Sequence, residues 1–159
     1  MGRAILATLL LAAPATAADL KAGTDAFKRG DFSEARLHFE PLAYEGIAAA
    51  QANMGLMYFK GYGVMLDRVE GIRWYQLAAS QGQAGAQNNL ASLYFNGDGV
   101  AADPIVGLMW LILAREGGYA GAGASIAELE RKMPFQEVQL AHELSVLWKR
   151  KLNLAASVK

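Results

Sequence analysis

Residues 51–64 of the chain, QANMGLMYFKGYGV, return in altered form at residues 87–100 as QNNLASLYFNGDGV. The offset is 36 residues, because position 51 corresponds to position 87, and the same offset pairs Trp74 with Trp110. A step of this size, with two helix-length segments in each copy, is typical of a helical repeat array. Each unit of such an array buries its apolar face only against its neighbours. The sequence therefore predicts an all-α protein, a right-handed α-solenoid of antiparallel helix pairs.

Residues that begin and end helices recur at the same offset. Asp67 precedes Glu70 as in a capping box, in which the aspartate accepts from a free helix N–H and the glutamate reaches back. Asp103 precedes Pro104, a residue suited to the first helical position. Gly82 follows the second helix, where glycine readily takes the left-handed conformation that ends helices. These signals predict helices over residues 48–60, 68–81, 84–96 and 104–116.

Weaker copies of the repeat flank the two clear ones. Asp31 and Glu34 form another candidate capping box, and Gly46 lies one offset before Gly82. Pro134 opens a final segment with a one-sided apolar stripe. We therefore expect eight helices in four pairs, the outer ones at residues 20–29, 32–45, 120–131 and 134–151. The expected repeat domain covers residues 19–159, with units at about 19–47, 48–83, 84–119 and 120–152.

Small and apolar residues at equivalent positions indicate where helices touch. Gly55 and Ala91 share one position of the first helix in each copy, which predicts a close approach of the paired helices there. Apolar residues at helical spacing should fill the core. The residues expected to do so are Met54, Tyr58, Leu77, Leu90, Tyr94 and Leu113.

The N-terminal segment has the pattern of a secretory signal peptide. Arg3 is followed by an uncharged apolar run and then by Ala15-Thr16-Ala17, a small-x-small cleavage pattern. The run is about half of the roughly 20 residues that a membrane-spanning helix needs. We therefore expect residues 1–18 to be removed by cleavage after Ala17 or Ala18, leaving a periplasmic or secreted protein without a stable membrane anchor. An uncleaved N-terminal anchor is the alternative.

Charge and cysteine content limit the class of partner. The chain has 15 basic and 15 acidic residues, and removal of Arg3 with the leader leaves 14 against 15. This balance argues against a nucleic-acid partner, because phosphates require a basic footprint. There is no cysteine, so an exported protein of this sequence must be stabilised by helix packing alone.

The repeated pattern resembles a known family, the Sel-one-like repeat, a longer-looped relative of the tetratricopeptide repeat. The second copy departs from the family pattern at Ala91, Leu111 and Arg115. The first copy carries the pattern at Met54, Gly55, Tyr58, Gly61, Gly63, Val64, Asp67, Trp74, Tyr75, Ala78, Ala79 and Gly82. The second copy carries it at Leu90, Tyr94, Gly97, Gly99, Val100, Asp103, Trp110, Ala114 and Gly118.

The resemblance implies an adaptor that holds a protein or peptide partner along a curved surface. Exported bacterial members are similar in serving envelope regulation, polysaccharide secretion or host contact. A cysteine-rich exported branch, linked with penicillin binding, joins its helix pairs by disulfides, whereas this chain has no cysteine. The resemblance therefore favours a non-enzymatic binding module of the bacterial cell envelope, an adaptor or regulator.

The sequence offers few residues for catalysis. His38 and His142 lie near opposite ends of the chain, and no His-Glu-x-x-His motif is present. The common serine-nucleophile and phosphate-loop motifs are also missing. We therefore expect a chain that is not an enzyme and that holds no cofactor and no metal. An envelope hydrolase acting on lactams or peptidoglycan, and a structural subunit of a secretion assembly, are the alternative functions.

A binding site is predicted on the face formed by the first helices of the repeats. Phe59 and Phe95 occupy the same repeat position and form an aromatic pair suited to anchoring a peptide, with amides and small residues beside them. Alternatively, both rings pack against loop residues such as Val64 and Val100. The candidate partner-binding residues are Ala52, Leu56, Phe59, Asn88, Ser92 and Phe95.

Overall fold

The computed structural model describes residues 17–157, with side chains described as far as residue 152. Within this range the chain forms eight α-helices and no strand, as the sequence predicts. The helices are α1 (Ala17–Arg29), α2 (Phe32–Tyr44), α3 (Ala48–Lys60), α4 (Arg68–Ser80), α5 (Ala84–Asn96), α6 (Pro104–Glu116), α7 (Ala122–Lys132) and α8 (Phe135–Ser157).

The predicted aspartate caps begin the second helix of each clear repeat. Asp67 Oδ1 accepts from the Glu70 amide at 3.0 Å, and Asp103 Oδ1 accepts from the Val106 amide at 3.1 Å. The other half of the predicted capping box is wrong. The Asp67 amide donates to the Tyr58 carbonyl at 2.9 Å, so it needs no glutamate. This bond ties the loop between the two helices back to the first helix.

Helices that follow one another pack most closely within a unit: α1 with α2, α3 with α4, and α5 with α6. A Cβ atom at Gly55 would lie 2.6 Å from the ring of Tyr75. A Cβ atom at Gly71 would lie 2.8 Å from the Gly55 carbonyl oxygen. The predicted close approach at Gly55 is therefore confirmed, and it depends equally on the missing side chain of Gly71.

The buried apolar residues form two clusters along the array. The smaller cluster lies around Phe39, Met54 and Trp74, and the larger one lies around Leu90 and Leu108. Met54, Leu90 and Leu113 are buried as predicted, and Tyr58 and Tyr94 are half-buried. The prediction for Leu77 is wrong, because its side chain is 49% exposed.

The fourth helix pair differs from the other three. α8 packs mainly on α6 rather than along α7. The buried side of α8 carries the small residues Ala141 and Ser145. Trp148 of α8 packs edge to face against Trp110 of α6, with 4.9 Å between the ring centroids. Leu113 is buried in the same cluster as Ala141. Leu77 has no such helix over it, which explains the different exposure of two leucines at one repeat position.

Buried glutamines join successive units. Gln51 at the start of α3 donates from Nε2 to the Ala43 carbonyl near the end of α2, at 3.2 Å. One repeat later, Gln87 donates to the Ala79 carbonyl at 3.1 Å. Each bond adds a side-chain donor to a carbonyl that also accepts from the backbone amide of the glycine after the helix, Gly46 at 3.1 Å and Gly82 at 3.0 Å. The next position in the series is Gly123, which has no side chain to make the bond.

The predicted leader, residues 1–18, lies outside the described residues except for Ala17 and Ala18, the first residues of α1. From residue 17 to residue 157, no helix combines the length and the apolar character needed to cross a bilayer.

Candidate functional site

A groove of about 350 Å³ lies between α5 and α7, the first helices of two successive units. α5 supplies one wall and α7 supplies the other, while Leu111 of α6 contributes to the lining between them. The lining residues are Asn88, Ala91, Ser92, Phe95, Asn96, Leu111, Ser125, Glu128, Leu129 and Lys132.

The two walls of the groove differ in chemistry. On α5 the half-buried Phe95 ring lies beside polar groups, of which Asn96 donates from Nδ2 to Ser92 Oγ at 3.4 Å. On α7 the Lys132 ammonium donates to Glu128 at 2.6 Å. This hydrogen bond lowers the pKa of Glu128. The groove therefore combines an apolar surface, neutral hydrogen-bonding groups and a balanced ion pair, a mixture suited to an uncharged stretch of peptide.

The structure brings together three of the six predicted binding residues. Asn88, Ser92 and Phe95 all line the groove. Ala52 and Leu56, their counterparts in the first repeat, are half-buried and pack against the larger core cluster.

Phe59 is buried at 6% exposure, so its expected place in an exposed aromatic pair is wrong. Its ring lies near that of Tyr75, with 6.4 Å between ring centroids. Phe59 belongs to the larger core cluster, whereas Val64 packs against the smaller one. The Lys60 and Arg68 side chains lie over its ring at 5.5 Å and 5.6 Å.

The difference between the two phenylalanines follows from their neighbours one offset apart. The second repeat has Asn96, Pro104 and Leu111 where the first has Lys60, Arg68 and Tyr75. Asparagine and proline cannot place a cation over the Phe95 ring, which stays half-buried at the groove.

Sequence reasoning missed the residues that α7 and α6 contribute to the groove. Leu111 was identifiable as a departure from the repeat, since the first copy has Tyr75 at that position. Glu128 and Lys132 are four residues apart, the spacing of an ion pair on one helix face. Neither signal alone predicts that these side chains face α5.

The histidines lie apart from the groove. His38 Nε2 is 3.7 Å from Glu34, and His142 Nε2 is 2.8 Å from Glu130. Ser145 donates to the backbone carbonyl of His142 and not to its ring, so this pair lacks a contact between nucleophile and base. Among the side chains that the structure describes, no group of His, Cys, Asp and Glu could hold a metal ion.

Solved structures share this architecture. One is c5321, described as a protective antigen present in uropathogenic Escherichia coli strains displaying an SLR fold, with 28% identity and a TM-score of 0.77. Another is a Sel1 repeat protein from Oxalobacter formigenes, with 27% identity and a TM-score of 0.69. The matches cover 85% and 87% of this chain, which spans only 30% and 54% of those two proteins.

Family similarity agrees with the fold. The Sel1 repeat family matches residues 48–83 and 84–119. No curated protein matches the chain in sequence. Repeats of this family generally mediate protein–protein interaction and serve as binding scaffolds rather than catalysts. The chain therefore carries two consecutive Sel1 repeats in an all-α solenoid of helix pairs similar to that of the two solved proteins.

Proposed function

We propose that the chain is a non-enzymatic adaptor or regulator of the bacterial cell envelope that binds a peptide segment of a protein partner in the groove between α5 and α7. The observation that carries the proposal is the half-buried Phe95 ring with Asn88 and Ser92 beside it. An aromatic side chain that becomes fully buried on binding is a common anchor of protein interfaces. Neighbouring amide and hydroxyl groups can pair with the backbone of a bound peptide.

The charges of the groove support a neutral or weakly charged partner segment. Glu128 and Lys132 neutralise each other across 2.6 Å. The groove therefore has no net charge that would attract a strongly acidic or strongly basic segment. The balanced charge of the whole chain, 15 basic against 15 acidic residues, agrees with this preference.

The envelope location rests on the predicted leader at residues 1–18. The basic residue, the short apolar run and the Ala15-Thr16-Ala17 sequence support export. A solenoid without cysteine needs no disulfide chemistry in that compartment.

Site-specific photo-crosslinking in the native host tests the binding surface. A photoreactive amino acid at Ser92, which lines the groove, should crosslink a partner, whereas the same amino acid at the exposed Gln76 of α4 should not. The crosslinked segment is then synthesised as a peptide and titrated against the purified protein by calorimetry.

Phe95→Ala should weaken binding of that peptide by roughly 5- to 150-fold, as loss of an aromatic anchor does. Phe135→Ala is the matched control, because Phe135 is 70% exposed and does not line the groove. Equal crosslinking from Ser92 and Gln76, or unchanged affinity of Phe95→Ala, would refute the groove as the binding site.

A further inference from the structure

The outer face of α8 forms a continuous stripe that touches another described helix only at one edge, where His142 Nε2 lies 2.8 Å from Glu130 of α7. Val146 and Leu147 at its centre are 42% and 56% exposed. Residues three and four positions apart share one helix face, and this spacing is also the spacing of helix–helix seams. The stripe consists of Gln139, His142, Glu143, Val146, Leu147 and Arg150, which line a shallow groove of about 400 Å³.

α8 is much longer than α6, the helix on which it packs. It has 23 residues, whereas α6 has 13, so it is longer by about 15 Å at 1.5 Å per residue. Its inner face, with Val138, Ala141 and Ser145 buried, is already used by the fold. The outermost helix of a repeat array is normally polar on its free side. Two exposed aliphatic side chains at the centre of that side indicate a partner surface.

The stripe is complementary to itself. Glu143, Val146, Leu147 and Arg150 are spaced symmetrically about the midpoint between Val146 and Leu147. When two copies of α8 lie antiparallel about this midpoint, each Glu143 faces Arg150 of the other copy, and the aliphatic side chains meet between them. Among the described residues, neither Glu143 nor Arg150 forms an ion pair within the chain.

From this symmetry we infer that the outer face of α8 is a homodimer contact, with a second copy of the chain as its occupant. The contact is isologous, the commonest arrangement in homo-oligomers, because the same patch serves both copies. The chain carries no net charge, so long-range repulsion does not oppose self-association. Besides His142, which pairs with Glu130 within the chain, the stripe carries one carboxylate and one guanidinium. This combination matches a second copy better than an anionic lipid surface, which favours a uniformly basic face.

The inference is independent of the groove between α5 and α7, and charge reversal tests it. Sedimentation velocity over a concentration series should show a dimer with a Kd on the order of 10–100 µM, as expected for a contact of two helices. Glu143→Arg and Arg150→Glu should each weaken the dimer by about tenfold or more, because each places like charges opposite one another twice. The double variant Glu143→Arg/Arg150→Glu should regain most of the affinity.

Leu147→Glu should also weaken the dimer, while Leu37→Glu serves as the matched control, because Leu37 is 74% exposed on α2. A melting curve for each variant checks that the monomer fold is unchanged. Three results would overturn the inference: a monomer at every concentration, a dimer insensitive to the single reversals, or a double variant no tighter than the single ones. Insensitivity to reversal would assign the dimer to another surface, including the apolar N-terminal segment.

Discussion

At Gly71, the backbone of α4 lies close against the backbone of α3. A methyl group there would lie 2.8 Å from both the Gly55 oxygen and the Phe59 nitrogen, which are backbone atoms that cannot rotate away. We expect Gly71→Ala to lower the free energy of unfolding by roughly 1–3 kcal/mol through overpacking. This loss would occur although alanine is the better helix former by about 1 kcal/mol. Urea unfolding followed by circular dichroism measures it.

Gly123→Ala is the control for this substitution. Gly123 lies in α7 with no heavy atom within 4 Å of the position of an added Cβ. Alanine there should leave stability unchanged or raise it by up to about 1 kcal/mol. If both variants shift stability in the same direction, the close contact at Gly71 does not limit packing.

Tyr75 predicts how the fold responds to alkaline pH. Burial raises the pKa of Tyr75, and its hydrogen bond with Asn89 opposes this only in part. The phenol therefore stays neutral in the folded chain, whereas in the unfolded chain it ionises near its ordinary pKa of 10.0. Since ionisation then favours the unfolded state, stability is retained below pH 10 and falls above it.

Tyr75→Phe should reduce the fall in melting temperature between about pH 8 and about pH 11, because the titrating group is gone. Tyr119→Phe, at an exposed tyrosine, is the matched control and should leave the fall unchanged. An equal effect of the two substitutions would contradict the assignment to Tyr75. Part of the fall should persist in Tyr75→Phe, because burial also raises the pKa of Tyr58.

At the scale of helices, α3 and α5 carry phenylalanine at the same position with different roles. Phe59→Ala should cost about 3–5 kcal/mol of folding free energy, since it leaves a cavity beside Tyr75. Phe95→Ala should cost roughly 1–2 kcal/mol, because its half-buried ring removes less apolar area from water. Denaturant unfolding of the two variants provides the comparison, and equal losses would show that both rings are core residues.

Helix boundaries within the two clear repeats were predictable from sequence to within about one residue. Asp67 and Asp103 act through local hydrogen bonds, so their effect does not depend on distant parts of the chain. Burial was less predictable. Leu77 and Leu113 share a repeat position, yet only Leu113 is covered, because α8 packs on α6. That packing depends on the last helix, whose sequence does not follow the repeat.

The candidate site was predictable on its α5 side only. Asn88, Ser92 and Phe95 follow from the helical spacing of a clear repeat. The opposite wall comes from α7, where the repeat pattern is weak, so nothing in the sequence alone orients Leu129 and Lys132. The prediction that Phe59 is exposed was wrong because Arg68, which lies over its ring, belongs to the next helix and reaches the ring only in the folded chain.

For the molecule as a whole, export predicts a defined N-terminus. Protein recovered from its native host should have the intact mass of a chain that begins at Ala18 or Asp19, as cleavage after Ala17 or Ala18 requires. Cleavage would remove only one or two residues of α1, which begins at Ala17. A measured mass that includes residues 1–18 would contradict export by a cleaved leader.

The glutamine bonds between units have a consequence for the order in which the array opens. Gln51 hydrogen-bonds from α3 to α2, and Gln87 hydrogen-bonds from α5 to α4. Gly123 of α7 has no side chain to make the equivalent bond to α6. α7 also buries only Ala122 and Ile126. Its amides should therefore exchange with deuterium faster than those of α3 and α5. Because α7 is one wall of the groove, a bound peptide would stabilise a helix that buries few of its own residues, and slower exchange in α7 would report peptide binding.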